Sequence, residues 1–354
     1  MRPTQVEIDL GAIRANVAAF RELISPSRVC AVVKADAYGH GDVPVAEAAV
    51  DAGASWLAVA LLEEGVRLRE AGISAPVLLL SEPSPDSVAD IVKWEVTPTV
   101  YSIAFLDSLR SAGSTLRVQV KIDTGMHRVG VAPRMLHDLL SRIKGNLSLD
   151  ALWTHFSVAD EDPTFTDHQI DAFYDATRGL DAPMVHMANT AGAILFPHAR
   201  ADMCRIGLGI YGHHPSDETK QQVRLRPAMK VVSHVTHMQR LEAGARPSYG
   251  RVRPLTREAT VVTIPIGYAD GVPRRRLGDV LIRGRRYPLA GRVTMDQIVV
   301  DVGDDDIELG DEVVLMGSQG GEEITAEEWA SEVGTISYEI LCDIGPRVPR
   351  RHIG

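Results

Sequence analysis

Lysine is nearly missing from this chain: six residues against 31 arginines in 354. Guanidinium stands where amine would usually share the surface, so each remaining amine is a candidate for chemistry that arginine cannot perform, such as Schiff-base formation with a carbonyl. Cysteine is equally sparse. Cys30, Cys204 and Cys342 are odd in number and far apart, which excludes a disulfide framework and a CxxC metal knuckle, and no metal site is expected. No stretch approaches about 18 uninterrupted apolar residues, and the opening MRPTQVEIDL lacks an apolar signal core. A cytoplasmic protein without membrane contact is the expectation. No GxGxxG turn follows the first apolar strand, which removes the main dinucleotide-binding reading. A formal charge of −10 argues against a nucleic-acid partner and says little about a small zwitterion.

What is present is a core-forming composition, 45% hydrophobic, on a chain long enough for two domains or a barrel with an addition. Residues 9–24 read as a helix, with Leu10, Ile13, Val17, Phe20 and Ile24 on one stripe. Eight apolar segments then alternate with amphipathic ones. The predicted strands are Val29–Lys34, Trp56–Ala60, Pro76–Leu80, Val96–Tyr101, Leu116–Ile122, Leu147–Phe156, Pro183–Met187 and Met203–Leu208. That count over about 200 residues points to an α/β fold, a (β/α)8 TIM-type barrel rather than an open sheet. After about Leu225 the pattern changes to short strands between Gly, Pro and Asp turns, with one helix near Ala326–Val333 opened by Thr325 and Glu328. A barrel over 1–225 followed by a mostly β domain over 226–354 is therefore expected.

The stretch RVCAVVKADAYGHG, Arg28 to Gly41, concentrates the chemistry. A buried-type apolar run ends in Lys34 and a glycine-flanked Tyr-Gly-His turn. Barrel enzymes carry reacting groups on the loops after their strands and usually hold phosphate after the seventh and eighth. Here those loops contain Asn189-Thr190-Ala191-Gly192 and Arg205-Ile206-Gly207-Leu208-Gly209, a hydroxyl and glycines that let backbone N–H groups approach an anion. An amine after the first strand and an anion cradle after the last two describe a phosphorylated aldehyde cofactor.

VVKADAYGHG also resembles the cofactor-lysine segment of the alanine racemases, and further matches run almost to the C-terminus: KIDTGMHRVG, THF, HMANTAG, RIGLGIYG, GYADGVPR and GRVTMDQ. The resemblance implies that Lys34 carries pyridoxal 5'-phosphate, with Asn189, Thr190, Gly207 and Leu208 about the phosphate and Tyr38 and Tyr338 supplying hydroxyls. It implies that Arg205 meets the pyridine nitrogen; a guanidinium there only donates and so disfavours ring protonation, where a carboxylate would favour it. His155 is implied to stack near the ring, linked to Arg205. Arg128 is implied to meet the substrate carboxylate, and Met295 to offer it a backbone N–H, with Arg292 at the entrance. Read without the family, Asp123–Gly125 is a tight turn, His155 a core histidine, Tyr268 a half-buried turn residue and Arg205 a bridge between strand ends. In the family the lysine matching Lys121 can be carbamylated.

The activity so implied is interconversion of L- and D-alanine, a small amino-acid substrate, by proton transfer between two bases: Lys34 on one face and Tyr268, lent by the second subunit of a head-to-tail homodimer, on the other. Supply of D-alanine as a peptidoglycan precursor follows from the same likeness. Rivals are a racemase of serine, lysine or another amino acid, a PLP decarboxylase of similar build, and a non-catalytic PLP-binding protein. The chain departs from the family at Gly345-Pro346, before Arg347.

Overall fold

Strands buried along their length build the larger of two compact units in this computed structural model, which describes residues 2–354. That unit holds residues 11–37 and 42–226; residues 2–10, 38–41 and 227–354 form the other. In the larger unit, eight parallel strands close a barrel. With β1 (Gln5–Asp9) in the other unit, they are β2 (Arg28–Val32), β3 (Trp56–Val59), β4 (Val77–Leu79), β5 (Thr97–Val100), β6 (Leu116–Lys121), β7 (Leu147–Trp153), β8 (Val185–His186) and β9 (Met203–Ile206). Each lies within one of the predicted segments or starts one residue outside it. Pairing of Val29 with Cys204 and of Cys30 with Arg205 joins the last strand to the first.

Both faces of the barrel strands are covered, so they read as apolar runs and not as alternation. Outside them packs the helix Leu10–Ile24, burying Ile13, Val17, Phe20 and Ile24 along the predicted stripe. Burial of Phe20 alone stabilises by about 1.5–3 kcal/mol. Its ring fills the space that a Cβ on Gly209 would need, 2.4 Å away. The glycine is therefore set there by packing.

The smaller unit is mostly β. β10 (Met229–His234), β11 (His237–Leu241), β12 (Ala259–Ile264), β13 (Asp279–Ile282), β14 (Arg285–Pro288), β15 (Ile298–Gly303), β16 (Glu312–Gln319), β17 (Glu322–Ile324) and β18 (Arg350–Ile353) join β1 in a seven-stranded sheet, ordered β14-β13-β16-β10-β1-β18 with β17 on β16, and a three-stranded sheet β11-β12-β15. β1, for which the pattern predicts no element, pairs antiparallel with β10 and parallel with β18. The predicted helix is found at Ala326–Val333, where Thr325 accepts from the Glu328 N–H at 3.1 Å. A second helix, Ser337–Asp343, follows it. At the family departure, Gly345 N–H donates to Asp270 O and the Gly345 carbonyl accepts from Arg350, which closes the local turn.

Candidate active site

Lys34 follows β2, half-buried, and opens a turn of unusual hand. Ala35, Asp36, Ala37 and Tyr38 all have φ of 52–53°, a left-handed run of four non-glycine residues. Each such residue costs about 1–2 kcal/mol, so the surroundings must over-determine the turn. They do so with hydrogen bonds: Ala35 N–H donates to Glu64 Oε1 at 2.7 Å, Ala37 N–H to Val33 O at 3.0 Å, and Asp36 Oδ1 accepts from Asp42 N–H at 3.0 Å. Glu64 is itself buried and takes two more backbone N–H groups, from Ala60 and Leu61. Strain of this kind gathers where a side chain must be presented in one direction.

Arg205, on β9, is 3% exposed. Its guanidinium donates to Thr154 O at 2.7 Å, Met187 O at 2.8 Å, His186 Nδ1 at 2.6 Å and His155 Nδ1 at 3.2 Å, and lies 4.6 Å over the Trp153 ring. Carbonyls at the ends of β7 and β8 thus hold it, not a salt link. Burial pulls its pKa down to about 10, which still leaves it charged near neutrality. Guanidinium has no acceptor capacity, so both histidines must turn lone pairs toward it. Burial first, then Arg205, holds the pKa of His155 and of His186 well below the ordinary value. Both are neutral, with their protons on Nε2.

Lys121 ends β6, 3% exposed, with its ammonium 4.7 Å over the same indole. Burial, followed by the charges of Arg205 and Arg128, lowers its pKa to about 7. Asp123 makes the expected turn, accepting from the N–H groups of Gly125 and His127. Beyond it Arg128 is exposed and has no ion-pair partner among the described residues.

After β8, Asn189 Oδ1 caps the short helix Thr190–Leu195 by accepting from Gly192 N–H at 2.9 Å. Thr190 Oγ1 accepts from Gly207 at 3.2 Å and Gly209 at 3.4 Å, tying the last two loops together. Its own O–H proton is left to donate. Leu208 is buried behind them. Cys30 and Cys204 flank Arg205, and burial pushes both thiols up to about 12; they are inert core groups.

In the β unit, Tyr38 and Tyr338 lie with ring centroids 6.1 Å apart. Burial raises the pKa of Tyr38, so it is a hydroxyl donor and not a base. Tyr268 sits on a short turn whose Asp270 is fully buried under Arg2, at 2.8 and 2.9 Å. The N–H groups of Tyr268 and Ala269 donate to Thr294 O and Met295 O. Met295 is exposed, and its own N–H has no acceptor among the described residues.

The same segment carries a tyrosine that the motifs pass over. Ser248 Oγ donates to Arg292 O at 2.5 Å, and Tyr249 follows it, 70% exposed against 39% for Tyr268. Its neighbours Ser248 and Arg251 have φ of 66° and 47°, left-handed without being glycine. Positive φ at non-glycine residues beside a reactive side chain is the feature it shares with the turn after Lys34. The one sequence signal was a lone tyrosine before glycine in Pro-Ser-Tyr-Gly, which by itself reads as a loop.

Residues 8–215 match the family described as "Alanine racemase, N-terminal domain", and residues 228–352 match "Alanine racemase, C-terminal domain". A protein named alanine racemase from Symbiobacterium thermophilum is 44% identical over 370 residues, covering 100% of this chain and 98% of its own. The crystal structure of alanine racemase from E. faecalis superposes with a TM-score of 0.96 at 34% identity, covering 99% of this chain and 98% of that one. A histidine racemase from Leuconostoc mesenteroides superposes with a TM-score of 0.92 at 26% identity, over 100% of this chain and 98% of that one.

Proposed function

The chain belongs to the alanine racemase family and is an enzyme that interconverts L- and D-alanine; from that premise we propose that it uses pyridoxal 5'-phosphate and two bases, one of them lent by a second copy of the chain. The donor set fits that cofactor. Lys34 would hold its aldehyde carbon, Thr190 and the loops at Asn189 and Gly207–Leu208 its phosphate, and Arg205 its ring nitrogen, with Tyr38 and Tyr338 as further hydroxyl donors. Bound there, the cofactor would withdraw electrons from the substrate and make the Cα–H bond acidic.

The observation that carries this reading is Arg205, a buried cation engaged only by neutral acceptors. With every contact a donation, it has no proton to give up near neutrality and leaves the ring nitrogen unprotonated. This disfavours a decarboxylase, which wants an acidic partner at that place. Arg128 is a free planar fork for a carboxylate, and Met295 N–H a second donor.

Inversion needs proton transfer at opposite faces, because one base would tend to restore the original hand. Lys34 Nζ serves one face. A phenol from the partner's β unit serves the other, and here exposure and backbone strain favour Tyr249 over the Tyr268 that the GYADG motif nominates. The neutral His155, with its proton on Nε2, supplies a donor that would stabilise a phenolate. Lys121, with a pKa of about 7, is half neutral at physiological pH, the form that adds CO2; the adduct would be an anion beside Arg128.

Mixing Lys34→Ala chains with Tyr249→Phe chains tests the shared site. Each variant alone should be inactive and the mixture should regain activity, because one of its two sites is intact; no recovery sinks the two-subunit reading. Recovery with Tyr268→Phe and not with Tyr249→Phe returns the role to Tyr268. Chiral analysis of products from a panel of L-amino acids separates alanine from serine, lysine and histidine.

A further inference from the structure

Four buried polar side chains run in one line through the barrel strands: Asp150 on β7, Gln119 on β6, His186 on β8 and Arg205 on β9, with exposures of 8%, 0%, 0% and 3%. Asp150 Oδ2 lies 2.9 Å from Gln119 Nε2, Gln119 Oε1 lies 2.9 Å from His186 Nε2, and His186 Nδ1 lies 2.6 Å from Arg205 Nη1. The two ends fix the sense of every bond between them. Asp150 as a carboxylate only accepts, so the amide must turn its NH2 to it and its oxygen to the imidazole. Arg205 only donates, so Nδ1 must be the lone-pair nitrogen. Trp153 stacks on the imidazole, centroids 5.4 Å apart and planes 13° from parallel, which leaves the ring no room to swing.

We propose that Asp150 and Gln119 are positioning residues for the racemisation: Asp150 orients the Gln119 amide, whose oxygen takes the Nε2 proton of His186 in a hydrogen bond and so fixes the imidazole with its Nδ1 lone pair on Arg205. The amide is a spacer as well as a relay. A carboxylate placed directly on His186 would favour its imidazolium and set a counter-charge toward Arg205. With glutamine between, the negative charge stays at the far end, where Arg117 meets Asp150 at 3.4 Å. The guanidinium then keeps an uncancelled positive charge for the cofactor ring. The lock on the imidazole stands on the hydrogen bonds alone; its effect on the reaction rests on the role proposed above for Arg205.

The test uses the intact, cofactor-loaded enzyme with 15N-labelled histidine. In the parent, His186 should show the Nε2–H pattern by NMR. Gln119→Met removes the acceptor; Arg205 still bars a proton from Nδ1, so the tautomer should stay, while the Nε2–H resonance should move upfield as its hydrogen bond is lost. The same variant should shift the pH dependence of the bound cofactor's visible absorbance and lower kcat about 10- to 100-fold, the range that outer-shell partners of a site command, with KM little changed. Asp150→Asn, whose amide oxygen still accepts, should keep the resonance in place and most of the activity. Should Gln119→Met fail to fold, Asp150→Leu probes the same lock from its far end. An Nε2–H resonance that does not move in Gln119→Met or Asp150→Leu overturns the proposal, as does a moved resonance with unchanged absorbance and kcat. If Arg205→Lys also leaves the absorbance profile untouched, it is the cofactor role of Arg205 that has failed and not the lock on the imidazole.

Discussion

The two units present their chemistry in opposite ways. In the barrel, the groups that matter are sunk and tied: Arg205 has four partners, Gln119 and His186 are fully buried, and Trp153 lies under both Arg205 and Lys121. In the β unit they stand in the open, with Tyr249 70%, Met295 52% and Tyr268 39% exposed, all hung from the segment Arg292–Met295. Buried groups can have their protonation set by their own chain, because a low-dielectric surrounding magnifies each hydrogen bond and charge. Exposed phenols cannot, because water screens them until another surface covers them. The contrast fits the shared site proposed above, in which one copy would supply the field and the other the base.

The largest expected effect breaks the barrel side of this comparison. Lys34→Ala should abolish racemisation and leave no borohydride-trapped label at that position by peptide mapping, whereas retained labelling elsewhere would remove the premise. On the β side, Tyr249→Phe should cost about 10^2- to 10^4-fold in kcat, the usual worth of a general base, and Tyr268→Phe clearly less. Paired kinetics of the two variants decide between the phenols.

Lys121 sharpens the contrast through pH. Its folded pKa is depressed from 10.5 to about 7, so between those values the unfolded chain binds the proton and the folded one does not. Stability should therefore rise with pH from about 7 to 10.5, by on the order of 5 kcal/mol for this group, and the slope should be missing in Lys121→Met. Urea unfolding at several pH values in CO2-free buffer reads it. The same unfolding with bicarbonate, together with a mass increase of one CO2, would reveal the carbamate. Smallest is Thr325→Ala in the β unit, which removes a helix cap and should cost about 1 kcal/mol by denaturant midpoint with kcat unchanged.

Legibility followed burial and periodicity. The barrel strands could be located because a doubly covered strand must be apolar along its whole length, and the helix at Ala326 because a cap is a local hydrogen bond between residues three apart. β1 and β18 escaped because each is held by strands far away in the chain: Gln5 pairs with Val232, and Val6 with Arg350. Lys34 and Thr190 are nominated by type and place, and Arg205 only by the family resemblance. Tyr249 was not, because nothing in Pro-Ser-Tyr-Gly says that the turn is strained or its ring exposed.

The sequence by itself determined which groups are available: one amine at the end of the first barrel strand, an arginine on the last where a carboxylate could have stood, and hydroxyls and glycines in the loops around them. Those are properties of residue type and spacing. Only the tertiary structure decided their states: which nitrogen of His186 carries the proton, that Lys121 loses its charge near neutrality, and that four residues after Lys34 turn left-handed. Each of these depends on desolvation and on partners from a few to several dozen residues away, and the sequence carries no record of how they meet.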